Sequence, residues 1–448
     1  MESTIDSAAL TERDRADLLE SLTAESLSAL MRSTRTWDDR ALRRRLSVLL
    51  VQLEAVRQLR SGDVACQPMV IEAAELRGLA EAGEFVAELL GPGLLVEVGN
   101  PLRVALRRLV QATGTLTAQA DRALESVAID VAGHVIERNE ALTTVVSEED
   151  WQRDAFGDLA AGLAQVAYSA GYTLSGTDYF SAAGLGAQAL AVAGVPTDAD
   201  PEMRRSTLAA VERTGSWDPV MVRTHAKVVD GSWRINGEKW YVPGAEAADT
   251  ILVIARTVGG PSLYRVARQA PGVTIEPLDS LYKPRALSRI TFANASAVLI
   301  GEVGAGGRIM NGTVDKAATV LAGEQMGVMD RALRCLSEIP PSCRDNEAWR
   351  RYTREIADLE MLRAGATALW YRAVRTQGSD DVGSGAVAAA LAHIGCSHAL
   401  RTAALRLVSI AEVDSDTAES IRVRARETDL LLGGPAVAHE RLLERLGI

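Results

Sequence analysis

The stretch Asp230-Gly231-Ser232-Trp233-Arg234-Ile235-Asn236-Gly237-Glu238-Lys239-Trp240-Tyr241-Val242-Pro243-Gly244-Ala245, followed by Ala248-Asp249 and Ile251-Leu252-Val253-Ile254-Ala255-Arg256, breaks the character of the chain around it. Aromatic and β-branched residues cluster there between glycines and prolines, which predicts strands joined by turns. Gly237 is expected to make a tight turn, Lys239 to point outward, and Trp240 with Tyr241 to offer a flat aromatic face. The alternative is that Trp240 and Tyr241 are core residues of the sheet. Strand character begins near 211 and continues through Val273-Thr274-Ile275 and Arg289-Ile290-Thr291-Phe292 to about 300. On either side apolar residues recur every three or four positions, as in Leu46, Leu49, Leu50, Leu53, Val56 and Leu59. That spacing predicts amphipathic helices over 10–148 and 151–208, and again after Gly304-Ala305-Gly306-Gly307. One strand block between two helical regions is not an alternating β/α pattern, and the junction is a natural place for a flat cofactor.

Composition narrows the classes further. The 448 residues carry 48 Lys+Arg against 59 Asp+Glu, a formal net charge of −11. An acidic chain with no dominant basic segment is not expected to bind nucleic acid or an anionic membrane. The first twenty residues have neither a basic region nor an apolar core, so no secretory signal is expected, and no apolar run is long enough to span a bilayer. Cys66, Cys335, Cys343 and Cys396 lack C-x-x-C spacing, and His134, His225, His393, His398 and His439 lack metallohydrolase spacing. A cytoplasmic protein without a metal is the expectation.

The quoted stretch resembles the acyl-CoA dehydrogenase family, matching its d-g-x-x-x-[I/L]-x-G-x-K-x-[W/Y]-[I/V]-[T/P] hairpin and the following A-D-x-x-x-V-x-A-R. Ser288 to Phe292 is similar to the family's short strand ending in [I/V]-x-F. Leu432-Gly433-Gly434 is similar to its late L-G-G turn, and Val320-Leu321-Ala322-Gly323 through Gly327 to the first helix of its C-terminal bundle. The resemblance covers 151–448 and implies FAD, with Trp240, Tyr241 and Val242 lining the flavin. The family's T-E-P-x-x-G-S-D loop corresponds to Val211-Glu212-Arg213-Thr214-Gly215-Ser216-Trp217-Asp218. Here a hydroxyl is lost at Val211, while Gly215 and Ser216 are kept as a turn that could present N–H groups to phosphate.

Other positions depart from the family. Its R-x-x-F-G phosphate contact has only Arg344 as a counterpart, with a solvated loop charge as the alternative, and the Gln before Gly433 and Gly434 is replaced by Leu430. The family's α-proton base would fall at Ala317, or in a loop that would lie past residue 448. Glu324 and Glu440 are the substitute candidates, each with a plainer alternative as a surface charge or helix cap. Glu324 lies seven residues beyond Ala317 on the same helix face. Asp315 and His439 are lesser candidates.

The resulting expectation is an α+β, mainly α protein of acyl-CoA dehydrogenase type. It has a helical N-terminal extension (1–130), a helical N-terminal domain (131–210), a central β-barrel-like domain (211–303) and a C-terminal four-helix bundle (304–448). The extension vaguely resembles late bundle helices of the family. The implied function is FAD-dependent oxidation of an acyl thioester on CoA or a carrier protein, in specialised metabolism, by a homodimer or tetramer. Alternatives are a non-catalytic subunit paired with a second dehydrogenase-like chain, or a flavin monooxygenase of the same fold.

Overall fold

The computed structural model describes residues 10–91, 93, 101–133, 161–175, 179–195, 201–280, 285–337, 347–377, 381–408 and 415–448. Five helices open the chain: α1 (Glu12–Ser21), α2 (Ala24–Ser33), α3 (Arg40–Arg60), α4 (Pro68–Leu90) and α5 (Pro101–Gly133). The first four starts have a local cause. Thr11 and Thr23 head capping boxes, the Asp39 carboxylate accepts from the Ala41 and Leu42 amides, and Pro68 opens α4. Leu46, Leu49, Leu50, Leu53, Val56 and Leu59 all lie on the buried face of α3. The helices α3, α4 and α5 pack on one another and on the C-terminal helices.

The helix α6 (Ala161–Tyr172), a π-helical turn (Phe180–Gly186), α7 (Ala187–Ala193) and the single turn α8 (Pro201–Arg204) lead into the sheet. Its strands are β1 (Ser206–Ala209), β2 (His225–Val229), β3 (Ser232–Pro243), β4 (Thr250–Thr257), β5 (Gly260–Ala267), β6 (Val273–Pro277) and β7 (Leu287–Ile300). The order β4-β2-β3-β7-β5 closes on itself because β5 also pairs with β4, which makes a barrel-like sheet. The strand β1 runs parallel to β4, and β6 lies along β7. β1 precedes the expected onset near 211; its four residues are all buried, so they show no alternation to read.

Two details of the hairpin differ from expectation. Val229 pairs with Ser232, so the two-residue turn is Asp230-Gly231, with φ of 50° and 75°, while Gly237 lies inside β3. Gly237 is needed there because its φ is +135° and a Cβ would sit 2.8 Å from Thr224 Cα. Lys239 is wholly buried instead of pointing outward. Register shifts on both sides of it, after Ile235 and after Lys239, break the simple two-residue alternation.

The C-terminal helices are α9 (Gly306–Ser337), α10 (Glu347–Thr376), α11 (Val382–Val408), α12 (Ser415–Leu430) and α13 (Gly434–Arg445). The helices α6 and α9 touch backbone to backbone. A Cβ on Gly327 would lie 2.0 Å from the Tyr168 carbonyl oxygen, and one on Gly171 would lie 2.0 Å from the Glu324 carbonyl oxygen. Gly327→Ala is therefore expected to destabilise the chain by about 1–3 kcal/mol. Gly114→Ala, in a helix with open space around it, should stabilise by about 0.5–1 kcal/mol. Urea denaturation of both variants checks this, and equal midpoints would refute the close packing.

Candidate functional site

The aromatic face forms where β3 bends. The register slips between Lys239 and Val242, and Tyr241 takes φ 56°, which turns its ring out to 41% exposure. The Tyr241 hydroxyl donates to the Arg213 carbonyl at 3.2 Å, and a Cβ on Gly215 (φ +72°) would lie 3.9 Å from its ring edge. The Trp240 ring lies 6.0 Å from that of Tyr241, with the Arg213 and Arg289 guanidinium groups 5.7 and 5.3 Å from its centre. Ser216 Oγ accepts from the Asp218 amide, tightening the same turn. Gly215, Ser216, Trp240 and Tyr241 are thus brought together at this bend. Val242 is not part of the face: it is 1% exposed and packs inside the barrel.

The loop is held from beneath by an ion pair. Lys239 Nζ donates to the Ala210 carbonyl at 2.8 Å and to Glu212 Oε1 at 3.1 Å, and the same carboxylate accepts from the Arg223 and Thr224 amides. Burial presses the Lys239 ammonium down to about 8, against the pull of Glu212. Glu212 is therefore a structural brace of the loop.

At the same end of β3, Gly244 donates to the Ala286 carbonyl, next to Arg285, which enters a second, buried cluster. Arg285 Nη2 donates to both oxygens of Glu324, at 3.2 and 2.9 Å, and Arg424 Nη1 donates to Glu324 Oε1 at 2.7 Å. The Tyr179 hydroxyl completes the set on Glu324 Oε2. Burial alone would raise the Glu324 carboxyl, but the two guanidinium groups outweigh it and hold it at about 2. Four donated hydrogen bonds also use the lone-pair positions of a carboxylate. The expectation that Glu324 serves as a base is corrected on that ground: at neutral pH it has neither a free lone pair nor an appetite for a proton.

Glu440 is corrected for a related reason, since it is ion-paired with Arg43 of α3. Asp315 is held by Arg441 and Arg445, and His439 Nδ1 by Ser47 Oγ. Gly433 and Gly434, with φ of 101° and 80°, make the turn into α13, and Leu432 shares a core with Val211 and Leu252. Arg344 lies outside the described residues. Arg285, Arg424 and Tyr179 escaped the sequence reading, although Arg424 had a signal. It continues the apolar stripe Ala418, Ile421 on α12, where a charge needs a buried partner.

Residues 207–295 match the family model described as acyl-CoA dehydrogenase, middle domain. A mitochondrial 2-methylacyl-CoA dehydrogenase of Solanum tuberosum is 25% identical over 38% of this chain and 42% of its own length. A mitochondrial isovaleryl-CoA dehydrogenase of Oryza sativa subsp. japonica is 29% identical over 32% of this chain and 37% of its own. The matches to these curated relatives thus span less than half of their length. Among solved structures, butyryl-CoA dehydrogenase from Megasphaera elsdenii aligns with a TM-score of 0.58 at 17% identity, covering 73% of this chain and 98% of that one. The prolyl acyl carrier protein oxidase AnaB aligns at 0.57 and 15% identity, covering 73% and 99%. A chain of the ChsE4-ChsE5 complex from Mycobacterium tuberculosis aligns at 0.53 and 17%, covering 86% and 97%. Sheet and bundle together therefore define the acyl-CoA dehydrogenase fold. The chain thus resembles acyl-CoA dehydrogenases in fold, and residues 207–295 carry the match to the family's middle domain.

Glu324→Gln should destabilise the protein by about 3–5 kcal/mol at neutral pH, because two buried arginines lose their counter-charge. The native pKa lies below the unfolded one, so the contribution is complete above about pH 4.5 and fades as pH falls toward 2. Denaturation of wild type and variant across that range should show the gap narrowing with acid. A gap independent of pH would contradict the assignment.

Proposed function

We propose that the chain is an FAD-dependent, acyl-CoA dehydrogenase-like oxidoreductase acting on an acyl thioester carried by CoA or by a carrier protein. The observation that carries this reading is the face of exposed Tyr241 and half-buried Trp240 beside the Gly215–Ser216 turn. A turned-out aromatic on a braced bulge is costly to leave wet, and a planar heterocycle can cover it. Arg213 and Arg289 flank the face; Arg289 is already paired with Glu276, and Arg213 offers counter-charge to phosphate. When bound there, FAD would supply hydride acceptance. The chain's own part is to stack the ring, orient it through the braced 211–216 loop and neutralise its phosphates. The hydroxyl missing at Val211 leaves fewer direct contacts than the family pattern has, and assembly as a homodimer or tetramer would add to them.

A second reading follows from the carboxylates. Glu324 and Glu440 are both spent on arginines, which favours a non-catalytic subunit paired with another dehydrogenase-like chain that supplies the base. AnaB acts as an acyl carrier protein oxidase and ChsE4-ChsE5 is a complex of two named chains; both precedents fit the proposed range.

The absorption spectrum of the purified chain, after addition of FAD and gel filtration, separates these readings. Retained flavin is expected, with Tyr241→Ala weakening its affinity about threefold to tenfold through lost ring stacking. A chain that retains none, and retains it only with a partner, would favour the subunit reading. Retention unaffected by Tyr241→Ala and by Trp240→Ala would remove the aromatic face as the site.

A further inference from the structure

We propose that the crevice between α3, α11, α12 and α13 binds a small oxoanion, a phosphate or carboxylate group, on Arg44, Arg401 and three histidines. Three of the chain's five histidines, His393, His398 and His439, converge there from two different helices. The space is about 70 Å³, enough for roughly two waters or one small oxoanion. Such a gathering of imidazoles invites a metal reading, but among the described residues no group of three or more His, Cys, Asp or Glu is placed to hold one.

Hydrogen bonding in the crevice is incomplete in a particular way. His393 is 6% exposed, yet its Nδ1 has no partner, and a buried polar atom left unpaired is costly. The neighbouring groups are occupied. His439 Nδ1 pairs with Ser47 Oγ at 2.6 Å, and the Ser397 hydroxyl donates to Asp429 Oδ1 at 2.5 Å. His393 therefore waits for a group that enters the crevice.

Charge selects what that group is. Asp429 is the carboxylate lining the crevice, and it already lies 3.8 Å from Arg401 and 3.5 Å from Arg426. Arg44 stands exposed at the crevice and makes no ion pair among the described residues. The surplus is positive, as an anion requires. Burial, with help from Arg44 and Arg401, presses His439 down to about 4, and burial does the same to His393. Both rings are thus neutral at pH 7 and offer N–H groups as donors without a charge that would need a second counter-ion. An anion seated here would tie α3 to α12, whose Arg424 holds Glu324.

The test is isothermal titration calorimetry of the full chain in chloride buffer with inorganic phosphate and, separately, acetate. Single-site saturation by at least one of them is expected, weakened roughly tenfold or more in Arg44→Ala. Arg45→Ala is the control, since Arg45 pairs with Glu88 and does not line the crevice; its affinity should match wild type. Tighter phosphate binding would assign a phosphoryl group, and tighter acetate binding a carboxylate. In unsubstituted protein carrying ¹³C-labelled histidine, the His393, His398 and His439 resonances should move on titration while that of His225 stays. Heats of dilution alone up to about 20 mM anion, equal losses in the Arg44 and Arg45 variants, or motionless histidine signals would each overturn the proposal.

Discussion

A single buried carboxylate organises the junction of sheet and helices. Glu324 on α9 receives Arg285 from the approach to β7, Arg424 from α12 and Tyr179 from the start of the π-helical turn. Four segments distant in sequence meet on two oxygen atoms. Arg285 lies over the Phe180 ring at 4.7 Å, and Arg424 also donates to the Ser175 carbonyl at 2.7 Å, so the cations are packed as well as paired. Desolvating three charges is expensive, and only a saturated set of hydrogen bonds offsets it. The close backbone contact of Gly171 with the Glu324 carbonyl fixes where α9 must run for that set to form.

That use of Glu324 bears directly on chemistry. A base for an α-proton needs a carboxylate whose proton affinity suits neutral pH and whose lone pair faces the substrate. The same helix face that would carry such a group instead presents one whose proton affinity has been suppressed by cations. Glu427 lies nearby, 3.8 Å from each of the two arginines, and burial raises it above the ordinary carboxylate range. One carboxylate pressed down and one pushed up within a shared cationic cluster is how environment separates roles, and the four groups together remain close to neutral. The cluster is a brace built from the residue types of an active site.

The sequence made the hairpin and the aromatic pair legible because their local signals are self-contained: turn residues, β-branched runs and a motif in register. What it hid is equally local in origin. Lys239 was expected to point outward, yet the strand's register shifts on both sides of it, and Glu212, far from it along the chain, makes its burial tolerable. Gly237 looked like a turn because glycine usually is one, whereas here it makes room for Thr224. Glu324 could be placed on the correct helix face but not given its partners, since Arg285 and Arg424 lie 39 and 100 positions away. Periodicity reports which face is buried; it does not report what that face meets.

The N-terminal helices carry the last step. They do not hang beside the fold: α3 packs on α10, α11 and α13, its Arg43 holds Glu440, its Ser47 holds His439, and its Glu54 holds Arg372 of α10. Each of these contacts ties a residue near the end of the chain, or in its bundle, to one near the beginning. Surface ion pairs of this kind contribute little one by one, but they run alongside the apolar seam where Val51 and Ala55 of α3 enter the bundle's core, which contributes more through area removed from water. The seam supplies the stability, and the charges fix the register along it. Where α3 lies, the faces of α10, α11 and α13 that meet it are covered by the chain itself. Tyr241 stays exposed on the sheet, where the proposed flavin would lie.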